Sequence, residues 1–178
     1  SAEATLTHVI TQADIDAGAD DPCRLVPEPV KQRISLLTHD PNDRRRLAYL
    51  AANDAGEPIL LSRAIHDADL VLPIGRLCPE TAAGYYGIHG TVFPTFSDRR
   101  TLSRFCSLRS LRDDGKRKKE LIAEVDHVAW LLGINFTIQF VPAAGASVLH
   151  VVAGQSDAVR RRGRELYRAA WSWLVPRR

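Results

Sequence analysis

Two histidines sit where the chain must turn, and their chemistry sets the possible functions. His89 lies in a segment running from Glu80 to Pro94 that also holds Gly84, Tyr85, Tyr86, Gly87 and Gly90. An imidazole flanked by glycine-bearing positions can ligate a metal or move a proton near neutral pH; a solvated loop histidine does neither. Glycines let a backbone take φ > 0 and approach a ligand closely. The even spacing of Gly84, Gly87 and Gly90 is not the dinucleotide-binding fingerprint, which needs an uneven spacing that opens a helix. Glu80 and His89 would bring charge and proton exchange to such a contact. Tyr85 and Tyr86 would either wall a pocket or pack beneath the loop. The second histidine, His39, precedes Asp40 in a cluster with Pro41, Asn42 and Asp43. That cluster reads either as a ligand-binding pair or as an Asx-type turn in which Asp40 and Asn42 bind backbone amides.

These residues need a scaffold, and hydrophobic periodicity supplies one. Val71, Leu72 and Ile74 form a short apolar run bounded by Asp69 and Gly75, as expected of a strand whose C-terminal loop could bind a ligand. Residues 33–37 read as a strand entering the His39 turn. Residues 47–52 and 59–61 read as a hairpin joined by a turn at 54–58. Ser62 caps a short helix to Asp67, and Asp98 caps one carrying Leu102 and Phe105. Leu121, Ile122, Val125, Val128, Ala129 and Leu132 recur at helical spacing up to Gly133. Ile134, Phe136, Ile138 and Phe140 alternate strictly, which predicts a strand with that face buried. Residues 147–152 form its partner, Gly154 breaks it, and Ser156 or Asp157 caps a last helix through Leu174. Before Pro29 the reading is a short helix from Thr11, ended by Gly18, and then a loop. The expected fold is α/β, a mixed sheet flanked by helices in a single domain. The strands at Ile34, Val71, Ile134 and Val148 should share one sheet.

Bulk properties exclude several classes. The 178 residues are 45% hydrophobic, enough for the core of one domain. A net charge of +3 creates no field that demands a nucleic acid or a membrane surface. The basic runs at 44–46, 116–119 and 160–162 lack interleaved aromatics and read as solvated faces. The chain's 3 cysteines, Cys23, Cys78 and Cys106, form no CxxC pair, which argues against a structural zinc or a disulfide framework and for a cytoplasmic setting. No apolar stretch approaches the length a bilayer requires. With Ser1 first and no methionine, the chain is expected to be excised from a longer polypeptide. Trp130, Trp171 and Trp173 are expected as core or interface anchors.

Several landmarks fall in an order that resembles the nickel-dependent lactate racemase family, in the later part of its N-terminal domain. They are His39-Asp40 after a strand, the Gly56-Glu57-Pro58 turn, and Ala68-Asp69-Leu70-Val71 leading to Gly75. Ala83-Gly84-Tyr85 with Gly87 resembles the family's Ala-Gly-Phe-Ser-Gly-Gly loop, and Pro94 matches a following proline. Ala153-Gly154 resembles its Ala-Gly-Asp. The likeness extends over residues 29–174. It implies a nickel pincer cofactor tethered to a lysine, a small 2-hydroxy acid as ligand, and histidines serving as nickel ligand and acid/base groups. It also implies further domains of a parent protein as partners.

The resemblance places Gly90 where the family carries the cofactor lysine, Glu80 at a catalytic histidine and Cys106 at a nickel-contacting histidine. Lys31, Lys116, Lys118 and Lys119 are the only lysines. Glu80 and His89 are therefore the candidate catalytic groups, with Cys106 and His89 as metal ligands. His39, Asp40, Gly84, Tyr85, Gly87 and Gly90 are the candidate ligand contacts. A thiolate suits nickel, but Cys106 beside Phe105 also reads as a buried small hydrophobe. Two functions follow. One is a divergent racemase-like domain, inactive as an isolated chain and working as an isomerase only in the full protein. The other is a non-catalytic small-ligand or protein-interaction module.

Overall fold

The computed structural model describes residues 5–12, 16, 26–79, 82–111, 115–144 and 147–171. In chain order these form β1 (Leu6–Thr11), α1 (Glu28–Lys31), β2 (Ile34–His39), β3 (Leu47–Ala52), β4 (Pro58–Ser62) and α2 (Arg63–His66). Then come β5 (Ile74–Arg76), α3 (Arg99–Phe105), α4 (Leu108–Leu111), α5 (Lys116–Leu131), β6 (Phe136–Pro142), β7 (Val148–Gln155) and α6 (Ser156–Trp171). A 3-10 turn, Ile88–Thr91, lies between β5 and α3. The molecule is α/β in one domain.

The strands do not share one sheet. β1 pairs in parallel with β2, β3 forms an antiparallel hairpin with β4, and β5, β6 and β7 form a mixed sheet in that order. The expected partnership of Ile34 with Ile134 and Val148 is thus corrected: β2 takes β1 as its neighbour, with Leu6 opposite Ile34. Thr11 ends β1, and Gln12 and Asp16 beyond it are helical, as expected of a short helix that Thr11 caps. Gly18 lies outside the described residues. The strand expected around Val71 begins later, at Ile74, and Gly154 continues β7 instead of breaking it.

Local chemistry explains the elements that match. Asn53 Oδ1 accepts from the amides of Ala55 and Glu57 at 3.0 and 2.9 Å, closing the β3–β4 hairpin. Asp98 caps α3 by accepting from Arg100 N and Thr101 N. The apolar stripe of α5 buries Leu121, Val125, Val128 and Ala129, and Gly133 at φ 66° ends it. These side chains meet Ile59, Leu61, Phe93 and Phe105 in the main core. A bidentate pair from Arg104 to Glu124 ties α3 to α5.

One face of the mixed sheet inverts the expectation. Thr137, Gln139 and Val141 are fully buried, whereas Phe136 is 47% exposed and Ile138 and Phe140 are only half-buried. The polar face can be buried because its groups have partners. Thr137 Oγ1 donates to Pro73 O at 3.0 Å, and Gln139 Nε2 donates to Thr137 Oγ1 at 2.9 Å. α6 covers this side through Leu166, Tyr167 and Ala170, packed on Leu77 and Val141.

Gly75 shows how tightly that layer closes. A Cβ there would lie 2.3 Å from Thr91 Cγ2 and 3.0 Å from Gln139 Oε1. Gly75→Ala is therefore expected to destabilise the fold by about 1–3 kcal/mol through overpacking. Chemical denaturation would show it, and a variant within experimental error of the parent would refute the tight approach.

Candidate functional site

The glycine segment is not an open loop. Tyr86 and Ile88 are buried beside His89, which is only 6% exposed. Tyr86 donates its hydroxyl to Phe105 O and packs edge-on against the Phe105 ring at 4.9 Å. Burial pushes the Tyr86 hydroxyl pKa up, and the nearby Cys106 adds to it. His89 is therefore not a solvated loop histidine, since the chain's own α5 and core cover it.

What holds His89 is a carboxylate. Its Nδ1 lies 3.0 Å from Asp126 Oδ1 on α5, and Arg160 on α6 grips the same carboxylate with Nη1–Oδ2 at 2.9 Å and Nη2–Oδ1 at 2.7 Å. An ionised carboxylate only accepts, so Nδ1 carries a hydrogen, and the ring's other nitrogen is Nε2. That Nε2 is buried with no hydrogen-bond partner, as are Arg160 Nε and Gln139 Oε1. Burial alone would raise the Asp126 pKa. The hydrogen bonds from His89 and Arg160, with the Arg160 charge, outweigh it and lower the value from 3.8 to about 2. Arg160 is raised in turn, chiefly by its hydrogen bond to Asp126. Chemically this is an imidazole oriented by a carboxylate, with no hydrogen bond at Nε2.

The other sequence candidates are dispersed. His39 is buried and donates Nε2–H to Ser97 O at 2.9 Å, with Phe96 edge-on against its ring. Asp40 is exposed and accepts from Asn42 N at 2.9 Å, the Asx-type turn. Cys106 is exposed, correcting the buried reading, because α3 ends at Phe105 and directs that ring, not the thiol, into the core. Among the described residues no group of three or more His, Cys, Asp or Glu is placed to hold a metal. Glu80 lies outside the described residues. Gly84 and Gly87 have φ of 74° and 86°, so the backbone alone requires glycine there. Gly90 does not, and a Cβ on it would meet only Tyr86 Cβ at 3.8 Å. Tyr85 is half-buried.

Sequence reasoning missed Asp126 and Arg160. Asp126 stands beside Val125 at the half-buried margin of the α5 stripe, a position where a carboxylate benefits from a partner. Arg160 belongs to a run read as solvated, yet it is half-buried in this ion pair. Lys118, remote from the glycine segment in sequence, reaches it and donates Nζ–H to Ala82 O at 2.7 Å. Trp130, expected as an anchor, is 74% exposed and stacks on His127. Trp171 donates Nε1–H to Pro142 O, and Trp173 lies outside the described residues.

A separate groove of about 370 Å³ opens beside the Asp40 turn, lined by Asn42, Arg44, Arg99 and Arg100 over Leu47 and Leu60. Arg100 is paired with Glu57 at 2.5 Å. No described helix is long and apolar enough to cross a membrane.

A family model described as the lactate racemase N-terminal domain matches residues 16–117. The apoprotein of lactate racemase from Thermoanaerobacterium thermosaccharolyticum matches with a TM-score of 0.60 at 16% identity, over 78% of this chain and 34% of that one. A crystal structure of a protein from Thermotoga maritima gives 0.54 at 15% identity, over 90% of this chain and 42% of that one. No curated protein matches by sequence. At these identities the likeness is one of fold, and the chain spans well under half the length of either structure.

Two outcomes follow from the geometry. Gly87→Ala should cost about 1–2 kcal/mol for its left-handed backbone, and Gly90→Ala less than about 0.5 kcal/mol. Equal costs in denaturation curves would contradict the backbone assignment. Asp126 has a folded-state pKa below its unfolded value, so it stabilises the fold above the ordinary carboxylate range. That contribution is lost as pH falls from about 4 toward about 2. Asp126→Asn should lower stability near pH 7 by roughly 1–3 kcal/mol and flatten the acid dependence in that window. An unchanged acid limb would show that the carboxylate is not held as described.

Proposed function

The chain belongs to the lactate racemase N-terminal domain family, whose model covers more than half of its 178 residues, and from that premise we propose a divergent lactate-racemase-like domain that does not racemise lactate as an isolated chain. The observation that carries the proposal is Gly90. The resemblance puts the cofactor's lysine at this position, and Gly90 offers no side chain to tether anything. A Cβ there would meet only Tyr86 Cβ at 3.8 Å. Lys118, the lysine brought to the segment, is engaged with Ala82 O.

The described residues do not fit a tethered nickel group. Cys106 faces solvent at the end of α3, and His89 is buried with Nδ1 committed to Asp126. Glu80 remains a candidate acid/base group from the sequence alone. We assign the domain to work inside a longer racemase-like polypeptide in the cytoplasm, where other segments would supply the groups for 2-hydroxy acid isomerisation.

A second reading, a non-catalytic small-ligand module, is favoured by the groove beside the Asp40 turn. Arg44, Arg99 and Arg100 there suit a small carboxylate or phosphate. Amide-shift titration with lactate and inorganic phosphate would report on it: saturable shifts at Asn42 and Arg99 would support this module, and their absence would remove it.

Incubating the chain with the nickel-loaded cofactor is expected to give no interconversion of lactate enantiomers and no mass increase from a covalent adduct. Measurable racemisation would overturn the proposal.

A further inference from the structure

One side of the mixed sheet is an apolar surface that no other described element covers. Register places Ile74, Ile138 and Ala153 side by side, and Arg76, Phe140 and Val151 in the next row. Residues in one row share a face, so this side carries Phe136, Ile138 and Phe140 from β6 and Leu149 and Val151 from β7. The extended approach to β5 lengthens it, because exposed Leu70, Leu72 and Ile74 alternate with better-buried neighbours. Leu70 is 80% exposed, Val151 67%, Ile74 63%, Leu149 49% and Leu72 45%. Arg76 is the one Asp, Glu, Lys or Arg in β5, β6 and β7.

The size of this surface argues for a partner. These side chains present on the order of 700 Å² of mostly apolar area, more than the largest patch that soluble monomers usually leave open. β7 adds an open outer edge of eight residues without proline or a fixed charge. Such an edge readily pairs with another strand.

We infer that a second copy of this chain covers the β5–β6–β7 face, in a two-fold arrangement of sheet on sheet. Two copies would bury roughly 1,400 Å² in all, within the range of specific stable interfaces. The patch suits an isologous contact because its rows are apolar apart from Arg76, so identical copies can meet hydrophobic surface to hydrophobic surface. α6 occupies the other side, so the polar face of the sheet is unavailable and the association has one orientation. This inference is independent of any catalytic role.

Sedimentation equilibrium of the intact chain is the test. A concentration-dependent dimer is expected, and Leu72→Glu with Val151→Glu should weaken association by about a hundredfold or more, since each buries an unpaired carboxylate. Both positions are exposed in the single chain, so circular dichroism of the double variant should match the parent. Trp130→Glu, on α5 and outside β5–β7, should leave the dimer intact. In the unaltered chain, amide exchange in β5 and β7 should slow as concentration rises. A chain that stays monomeric up to its solubility limit, or a dimer indifferent to the double variant but broken by Trp130→Glu, would overturn the inference.

Discussion

Asp126 is the group on which the arrangement of the glycine segment depends. A half-buried carboxylate is costly unless its lone pairs are filled, and here His89 and the Arg160 fork fill them. The three partners come from three elements, the 3-10 turn, α5 and α6, so one charge fixes how they meet. Removing any partner leaves the others under-satisfied, and their contributions are therefore not separable. The same contact fixes the imidazole tautomer. His89 is a structural strut through Nδ1, and its buried Nε2 makes no hydrogen bond.

This network changes what the glycines mean. Read from sequence, three evenly spaced glycines suggest a backbone kept bare for a ligand. Positive φ already accounts for Gly84 and Gly87, because the chain must reverse before it can send His89 toward Asp126. Gly90 alone of the three is free of that demand, and a Cβ on it would make only ordinary contact with Tyr86. The position where the family resemblance implies a lysine is thus the one glycine that local geometry does not explain.

What could be read in advance follows from the range of the interactions involved. The β3–β4 hairpin, the Asp98 cap and the α5 stripe ending at Gly133 are encoded within a few residues, and they match the structure. Sheet membership is set by contacts far apart in sequence, which is why Ile34 was assigned the wrong neighbours. The Asx turn at Asp40 was legible because Asp40 and Asn42 are two apart. Asp126 and Arg160 are 34 residues apart, and neither carries a local sign of the other. Cys106 was misjudged by a single residue of helix, since Phe105 takes the core-facing direction and the next position does not.

The β6 strand carries the most instructive disagreement. Alternation correctly gave its period but not which side is inward, because period alone leaves the two faces equivalent. Transfer energetics favour burying Phe136, Ile138 and Phe140, each worth about 1.5–3 kcal/mol when fully covered. The single chain instead covers Thr137, Gln139 and Val141, which it can do only because Pro73 O and Ile88 O accept from that polar row. Gln139 Oε1 still goes unpartnered, so the arrangement is not bought by polar bonding alone. α6 supplies the remainder by closing Gly163 onto Leu77, where a Cβ would sit 2.5 Å from Leu77 Cδ1. That close contact commits the helix to the polar side. The apolar row is then left facing outward by the same packing that completes the core, and the sheet keeps its strongest hydrophobic surface for association.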